Sequence, residues 1–210
     1  MTKIMISAAH AAMIACFLTA GRVAAAADNA PSESKEGKLI AVLQSDAAPQ
    51  VKAITCKQLA LCGTKAAVPA LAALLTDEKL ASWARIGLEA IPDPAVDDAL
   101  RDALGKVQGK LLVGVINSIG TRRDGKAVGW LSQKLKDADP VLVSASAAAL
   151  GRIGGEPAAT ALEKALADAS AATLPAICEG VLRCADGFIA EGKPDKAAKL
   201  CKRVNGPHIP

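Results

Sequence analysis

The fold is decided by the stretch Gln50-Val51-Lys52-Ala53-Ile54-Thr55-Cys56-Lys57-Gln58-Leu59-Ala60-Leu61-Cys62-Gly63, whose pattern recurs between Val141 and Gly154. At an offset of 91 residues, Pro49 falls on Pro140, Leu59 on Leu150 and Gly63 on Gly154. A repeat with a period of about 20–50 residues indicates a solenoid, in which each unit buries its apolar face only against its neighbours. The repeat therefore predicts an elongated architecture.

The rest of the chain reads as helix, turn and helix, without an alternating strand pattern of useful length. We predict helices at residues 35–45, 49–62, 66–76, 78–90, 94–106, 108–119, 125–137, 140–153, 157–169, 172–189 and 194–204. Proline is tolerated in the first turn of a helix because the N–H it lacks has no partner there. Five prolines are predicted in that place, namely Pro49, Pro94, Pro140, Pro157 and Pro194. Asp93 and Asp139 precede two of them and are predicted to cap the free N–H groups.

Equivalent turn positions set the length of each unit. Gly63, Pro92, Gly120 and Gly154 give spacings of 29, 28 and 34 residues, and the three glycines are predicted in a left-handed conformation just past helix ends. Apolar residues spaced by three share one face of a helix. The predicted inward stripe comprises Cys56, Leu59 and Cys62; Leu88 and Ile91; Val113, Ile116 and Ile119; Ala147, Leu150 and Ile153; and Cys178, Val181 and Cys184. We predict an all-α fold, a right-handed α-solenoid (α-α superhelix) of about five helical hairpins over residues 35–204.

The first 27 residues have the pattern of a secretory signal peptide. Lys3 supplies a basic start, an apolar run follows from Ile4 to Ala20, and Ala25-Ala26-Ala27 is a small-residue cleavage site. An uncleaved anchor is the alternative interpretation. We therefore expect a periplasmic or secreted protein with a signal peptide at residues 1–27 cleaved near Ala27, a flexible leader at 28–34, a tail at 205–210 and no membrane insertion after cleavage.

Charge and aromatic content weigh against several function classes. The formal net charge of the whole chain is +4, and it falls to +2 when Lys3 and Arg22 leave with the signal peptide. That balance does not favour a nucleic-acid or anionic-lipid surface. After the signal peptide the only aromatic residues are Trp83, Trp130 and Phe188, which weighs against a small-molecule pocket or a platform for stacking bases.

Two stretches carry a resemblance to a known family. Pro49-Gln50-Val51-Lys52, with Leu59, Cys62-Gly63, Ala67-Val68-Pro69-Ala70-Leu71 and Leu74-Leu75, resembles a HEAT repeat of the phycobilisome-lyase-like class. The stretch from Asp139-Pro140 to Ala149-Leu150-Gly151-Arg152-Ile153-Gly154 is a closer match, and the segment from Trp83 to Asp124 resembles secreted bacterial HEAT proteins of unassigned function. The resemblance spans residues 36–190 and implies about five HEAT-like hairpins, but it implies little about activity.

The cysteines are expected to be structural. Cys56 and Cys62, like Cys178 and Cys184, are six residues apart, a rise of about 9 Å along a helix that exceeds the roughly 7 Å reach of a disulfide. Buried apolar thiols are one interpretation, and a bridge from Cys201 to Cys178 or Cys184 is another. The only histidines are His10 and His208. We predict no catalytic residue, no metal site and no cofactor.

The expected functional surface is the concave wall formed by the second helices. Its candidate binding residues, including a turn at its edge, are Lys52, Gln58, Arg85, Glu89, Asn117, Arg122, Arg123, Arg152, Glu179 and Arg183. Solubilising charge is the competing explanation for these side chains. The predicted function is a non-catalytic protein–protein interaction scaffold in the cell envelope, with another protein as partner and no nucleic acid. The alternatives are a lyase-like or accessory subunit acting on a cofactor-bearing protein, and a remnant without a present role. Residues 194–204 read as the first helix of a sixth unit, so we expect either a shortened relative of a longer protein or an end that meets a partner.

Overall fold

A computed structural model describes residues 34–205. The predicted signal peptide, residues 28–33 of the leader and residues 206–210 of the tail lie outside the described residues. The described helices are α1 (Lys35–Gln44), α2 (Pro49–Cys62), α3 (Val68–Ala73), α4 (Ala81–Ala90), α5 (Pro94–Ala103), α6 (Gly109–Arg122), α7 (Val128–Lys134), α8 (Pro140–Ile153), α9 (Gly155–Ala167), α10 (Leu174–Ala190) and α11 (Pro194–Val204). Short 3-10 turns flank α3 at Lys65–Ala67 and Leu74–Thr76 and precede α7 at Gly125–Ala127.

The helices pair in chain order. The pairs α1–α2, α3–α4, α5–α6, α7–α8 and α9–α10 each form a helical hairpin. The second helices of successive hairpins, α2, α4, α6, α8 and α10, pack side by side, and α11 packs against α10. This arrangement confirms an all-α solenoid of five hairpins, and every predicted helix is present within a few residues of its predicted bounds.

The predicted helix starts are confirmed where a proline and an aspartate meet. Asp93 Oδ1 accepts a hydrogen bond of 2.8 Å from the N–H of Ala95, and Asp139 Oδ1 accepts one of 2.8 Å from Val141. Each carboxylate satisfies an N–H group that has no partner within its helix. Asp124 caps the turn before α7 in the same way, through a 3.0 Å bond from the N–H of Lys126.

Two of the three glycine predictions are wrong. Gly154 has the expected positive φ of 71°. Gly63 has a φ of −72°, and it is needed for space, because a Cβ there would lie 2.5 Å from the carbonyl oxygen of Leu59. Gly120 lies inside α6, which continues to Arg122, and Arg123 adopts the left-handed conformation with a φ of 54°.

The position of Gly120 changes the repeat length. One residue with no exposed surface marks the equivalent position in each second helix, namely Leu59, Leu88, Ile119, Leu150 and Val181. Their spacings are 29, 31, 31 and 31 residues, so the predicted 28 and 34 are wrong. The predicted end of the third unit was displaced by about one helical turn. The displacement arose because Ile116 and Ile119 are both apolar and three residues apart, and because Gly120 resembled a helix stop. The predicted stripe also fails at Cys62, which is exposed.

Candidate interaction surface

Successive second helices approach one another through residues with little or no side chain. A Cβ on Gly120 would lie 2.8 Å from the Cα of Ala149, and a Cβ on Gly151 would lie 2.9 Å from the Cα of Gly180. These distances are shorter than van der Waals contact allows, so only glycine fits at Gly120 and Gly151. The close packing holds α6, α8 and α10 as one wall and fixes the spacing of the side chains on its exposed side.

Between α4 and α6 a polar network takes the place of close packing. Arg85 Nη1 donates to the carbonyl oxygen of Gly114 at 3.2 Å and to Ser118 Oγ at 3.4 Å. The Ser118 hydroxyl in turn donates to a carboxylate oxygen of Glu89. A Cβ on Gly114 would lie 2.8 Å from Arg85 Nε, so the glycine makes room for the guanidinium. Arg85 and Glu89, two predicted binding residues, thus join adjacent repeats.

Arg122 also serves the fold. Its guanidinium donates to the carbonyl oxygens of Ile91 at 2.8 Å and Asp93 at 3.1 Å and forms an ion pair with Asp97. Ile91 directly follows α4, whose last carbonyls lack partners within the helix, and Asp93 directly precedes α5, so Arg122 ties the turn between α4 and α5 to α6. Only 12% of the Arg122 side chain is exposed, and its donors are directed into the fold.

The remaining predicted binding residues lie at the surface. Lys52, Asn117 and Arg152 are half-buried, whereas Gln58, Arg123, Glu179 and Arg183 are exposed. Glu179 and Arg183 face each other on α10, where Arg183 Nη2 donates to Glu179 Oε1 at 2.7 Å. The structure thus brings Arg85, Glu89 and Arg122 together near the α4–α6 contact and leaves the other seven distributed along the second helices and the turn after α6.

Exposed apolar side chains add to this surface. Between residues 34 and 205, the large apolar residues with substantial exposure are Val51, Ile54 and Leu61 on α2, Ile86 on α4, Val141 on α8, and Leu182 and Ile189 on α10. Every one of them lies on a second helix. Leu61 is 89% exposed, although it lies only two residues from fully buried Leu59. We call the exposed side chains of α2, α4, α6, α8 and α10 the second-helix face.

The comparisons with known proteins agree with this architecture. Residues 108–179 match the family model described as HEAT repeats, a stretch that runs from the start of α6 into α10. This part of the chain is therefore similar to HEAT repeats. Such repeats generally serve as protein-interaction scaffolds and are typically non-catalytic.

Among solved structures, the crystal structure of an engineered protein matches with a TM-score of 0.49 and 17% sequence identity, covering 80% of this chain and 93% of that one. No curated protein matches.

The described cysteines differ in environment. Burial raises the pKa of the Cys56 and Cys184 thiols to about 11 and also raises the pKa of Cys178. A thiol with a raised pKa stays protonated near neutral pH and is a poor nucleophile. Cys62 is exposed, Cys178 and Cys201 are half-buried, and all five described cysteines are free thiols. The interpretation as buried apolar residues therefore holds for Cys56 and Cys184.

Between residues 34 and 205, no group of three or more His, Cys, Asp and Glu side chains is placed to hold a metal ion. None of its helices combines the length and apolar character needed to cross a bilayer. A groove of about 800 Å³ opens between the α7–α8 and α9–α10 turns, lined by Lys136, Pro140, Lys164 and Thr173 among others. It contains none of the predicted binding residues.

Sequence analysis missed the apolar half of the second-helix face. A signal for it existed in α2, where Val51, Ile54 and Leu61 lie opposite the buried Thr55, Cys56 and Leu59. A helix with apolar residues on both faces has either a fully buried environment or a second apolar contact.

Proposed function

We propose that this chain is a non-catalytic scaffold of the cell envelope that binds a partner protein through the second-helix face. The observation that carries the proposal is the placement of exposed apolar residues on the second helices. Between residues 34 and 205, all seven large apolar side chains with substantial exposure lie on second helices. Apolar side chains gathered on one face of a folded protein mark a surface for association, whereas single scattered ones need no explanation.

The polar residues of the face fit the rim of such a surface. Lys52 and Gln58 on α2 and Arg152 on α8 lie on the same helices as exposed apolar residues, and Asn117 lies on α6 between α4 and α8. Protein interfaces combine an apolar centre with a polar margin that remains close to water. Arg85, Glu89 and Arg122 contribute indirectly, because they hold α4 and α6 in the register that presents this margin.

The rigid stacking of the second helices also supports binding. The contact between Gly151 and Gly180 leaves no space for side-chain rearrangement between α8 and α10. A preformed surface loses less conformational entropy on binding than a mobile one. The partner would therefore meet side chains already held at a fixed spacing.

Site-specific photocrosslinking in the native cell tests the proposal. A photoreactive residue is placed at Ile86 or Val141 on the second-helix face, and at exposed Lys38 or Thr160 on first helices as matched controls. We expect one partner protein to be captured from the second-helix positions and not from the controls. Equal capture from both sets, or capture from the controls alone, would contradict the proposal.

A further inference from the structure

The second helices carry charge of nearly one sign from α2 to α8. The helices α2, α6 and α8 contain no Asp or Glu, and α4 contains only Glu89, which accepts the Ser118 hydrogen bond. The same four helices contain Lys52, Lys57, Arg85, Lys110, Arg122 and Arg152. The second helices from α2 to α8 therefore carry an excess of positive charge, because the carboxylates lie mainly on the first helices and the turns.

Most of these cations have no carboxylate partner. Arg85 and Arg122 are engaged within the fold, as described above. Lys52, Lys57, Lys110 and Arg152 form no ion pair with any residue between 34 and 205. Four such cations on the second helices, with no Asp or Glu on α2, α6 or α8, create a positive potential that attracts negatively charged partners and speeds their association.

Apolar side chains lie among these cations. Ile54 and Leu61 are exposed beside Lys57 on α2, and Ile86 is exposed on the neighbouring α4. Lys57 Nζ lies 4.5 Å from the centroid of the half-buried Trp83 ring, which joins α2 to α4 by a cation–π contact. Tryptophan is among the residues that contribute most to binding when a partner covers it.

We infer that the partner of the second-helix face is an acidic amphipathic protein segment. Its apolar residues contact Ile54, Ile86 and Trp83, and its carboxylates pair with Lys57 and Lys110. This inference rests on the proposed scaffold function. The aliphatic residues favour a polypeptide over a nucleic acid, because nucleic-acid surfaces combine cations with several aromatic stacking platforms. Among the second helices α2, α4, α6 and α8, Trp83 is the only aromatic residue.

Two designed peptides test the chemistry with the full-length chain. The first is a labelled helical peptide of about 18 residues with leucines on one face and glutamates on the other. In the second, glutamine replaces each glutamate. We expect fluorescence anisotropy to show at least tenfold tighter binding of the glutamate peptide at low salt, and a smaller difference at high salt, since salt screens exposed charges.

Charge-reversal variants locate the binding site. Lys57→Glu with Lys110→Glu should weaken binding of the glutamate peptide roughly tenfold. Lys38→Glu on α1 with Lys199→Glu on α11 changes the net charge equally and should leave that binding unchanged. Lys57→Gln with Lys110→Gln gives the same test without introducing new charge. Equal losses in both sets of variants would overturn the inference.

Two further outcomes separate this inference from the proposed function. If both peptides bind alike and Ile86→Asp abolishes both, the acidic preference is wrong and the scaffold proposal stands. Binding of neither peptide, together with binding of duplex DNA or phosphatidylglycerol vesicles that Lys57→Glu abolishes, would replace the protein segment with a nucleic acid or a lipid surface. Failure of the photoreactive residues on the second-helix face to capture a partner protein would instead overturn the scaffold proposal itself.

Discussion

Gly151 on α8 and Gly180 on α10 meet backbone to backbone, with the space for a Gly151 Cβ lying 2.9 Å from the Gly180 Cα. A Cβ on Gly180 would itself lie 2.8 Å from the carbonyl oxygen of Ala147 and 3.1 Å from the Leu162 side chain. We expect Gly180→Ala to destabilise the chain by about 1–3 kcal/mol, because the overpacked helices must separate. Thermal or urea unfolding followed by circular dichroism measures the change.

Gly187 is the matched control on the same helix. Nothing lies within 4 Å of a Cβ at Gly187, and the residue is within α10. Gly187→Ala should stabilise the chain by about 0.5–1 kcal/mol through helix propensity alone. A Gly180→Ala variant as stable as Gly187→Ala would show that the two backbones are further apart than described.

Leu59 and Leu61 form a second contrast, two residues apart on α2. Leu59 is fully buried and Leu61 is 89% exposed. We expect Leu59→Ala to cost about 2–5 kcal/mol, because it leaves a cavity, and Leu61→Ala to change the free energy of unfolding by no more than about 0.5 kcal/mol. Chemical denaturation of the two variants measures both values.

The two variants should have the opposite order in their effect on partner binding, with Leu61→Ala causing the larger loss. Leu61→Ala should reduce photocrosslinking from Ile86 while leaving the fold intact, since it removes apolar surface from the second-helix face. Leu59→Ala at a temperature where it remains folded should retain capture. Unchanged crosslinking in Leu61→Ala would remove this residue from the surface.

Arg122 and Arg123 are adjacent but should behave differently. Arg122→Ala removes hydrogen bonds to the Ile91 and Asp93 carbonyls and leaves Asp97 without its ion pair. Hydrogen bonds of charged groups contribute about 1.5–3 kcal/mol, so we expect a loss of that size. Arg123→Gly should leave stability unchanged or raise it by about 1 kcal/mol, because glycine adopts the positive φ without strain.

Alkaline pH should destabilise the chain through its buried thiols. Cys56 and Cys184 have pKa values raised to about 11 from 9.0, so the folded state holds their protons more tightly than the unfolded state. The stabilisation is complete below about pH 9 and is lost as the pH rises through about 11. Denaturation at several pH values measures it, and Cys56→Ala with Cys184→Ala should flatten that part of the profile.

Thiol labelling gives an independent readout of the same difference. Cys62 should react with a disulfide reagent near neutral pH in the folded protein, whereas Cys56 and Cys184 should react only after unfolding. Rapid labelling of all five described thiols under native conditions would contradict the burial of those two.

The proposed location in the cell envelope can be tested through the N-terminus of the native protein. If residues 1–27 are a cleaved signal peptide, the protein purified from its native source begins at Asp28. Intact mass and N-terminal sequencing should both report that start. A native chain that retains Met1 and fractionates with the cytoplasm would contradict the proposed location and leave the helical fold unaffected.

Local signals in the sequence were sufficient for the helices. Pro94 and Pro140, each preceded by an aspartate, mark helix starts because backbone donors there need a nearby acceptor. Register depends on more than local pattern. Ile116 and Ile119 fit one apolar stripe equally well, and only the contact of Gly120 with Ala149 on the next repeat distinguishes them.

The role of Arg122 could not be predicted from its own neighbourhood in the sequence. Its acceptors are the backbone carbonyls of Ile91 and Asp93, about thirty positions earlier in the chain, and carbonyls are present at every residue. An arginine near a turn looks the same whether it faces solvent or another repeat. The packing of α4 against α6 determines which of these two environments the Arg122 side chain has.

The regular spacing has a consequence for how such a chain can change in length. Positions 118, 149 and 180 recur every 31 residues, and the joint between Gly120 and Ala149 has the same geometry as the joint between Gly151 and Gly180. A duplicate of residues 124–154 inserted after Gly154 would meet both neighbours through joints of this kind. Lengthening by duplication would thus extend the wall without requiring a new type of contact.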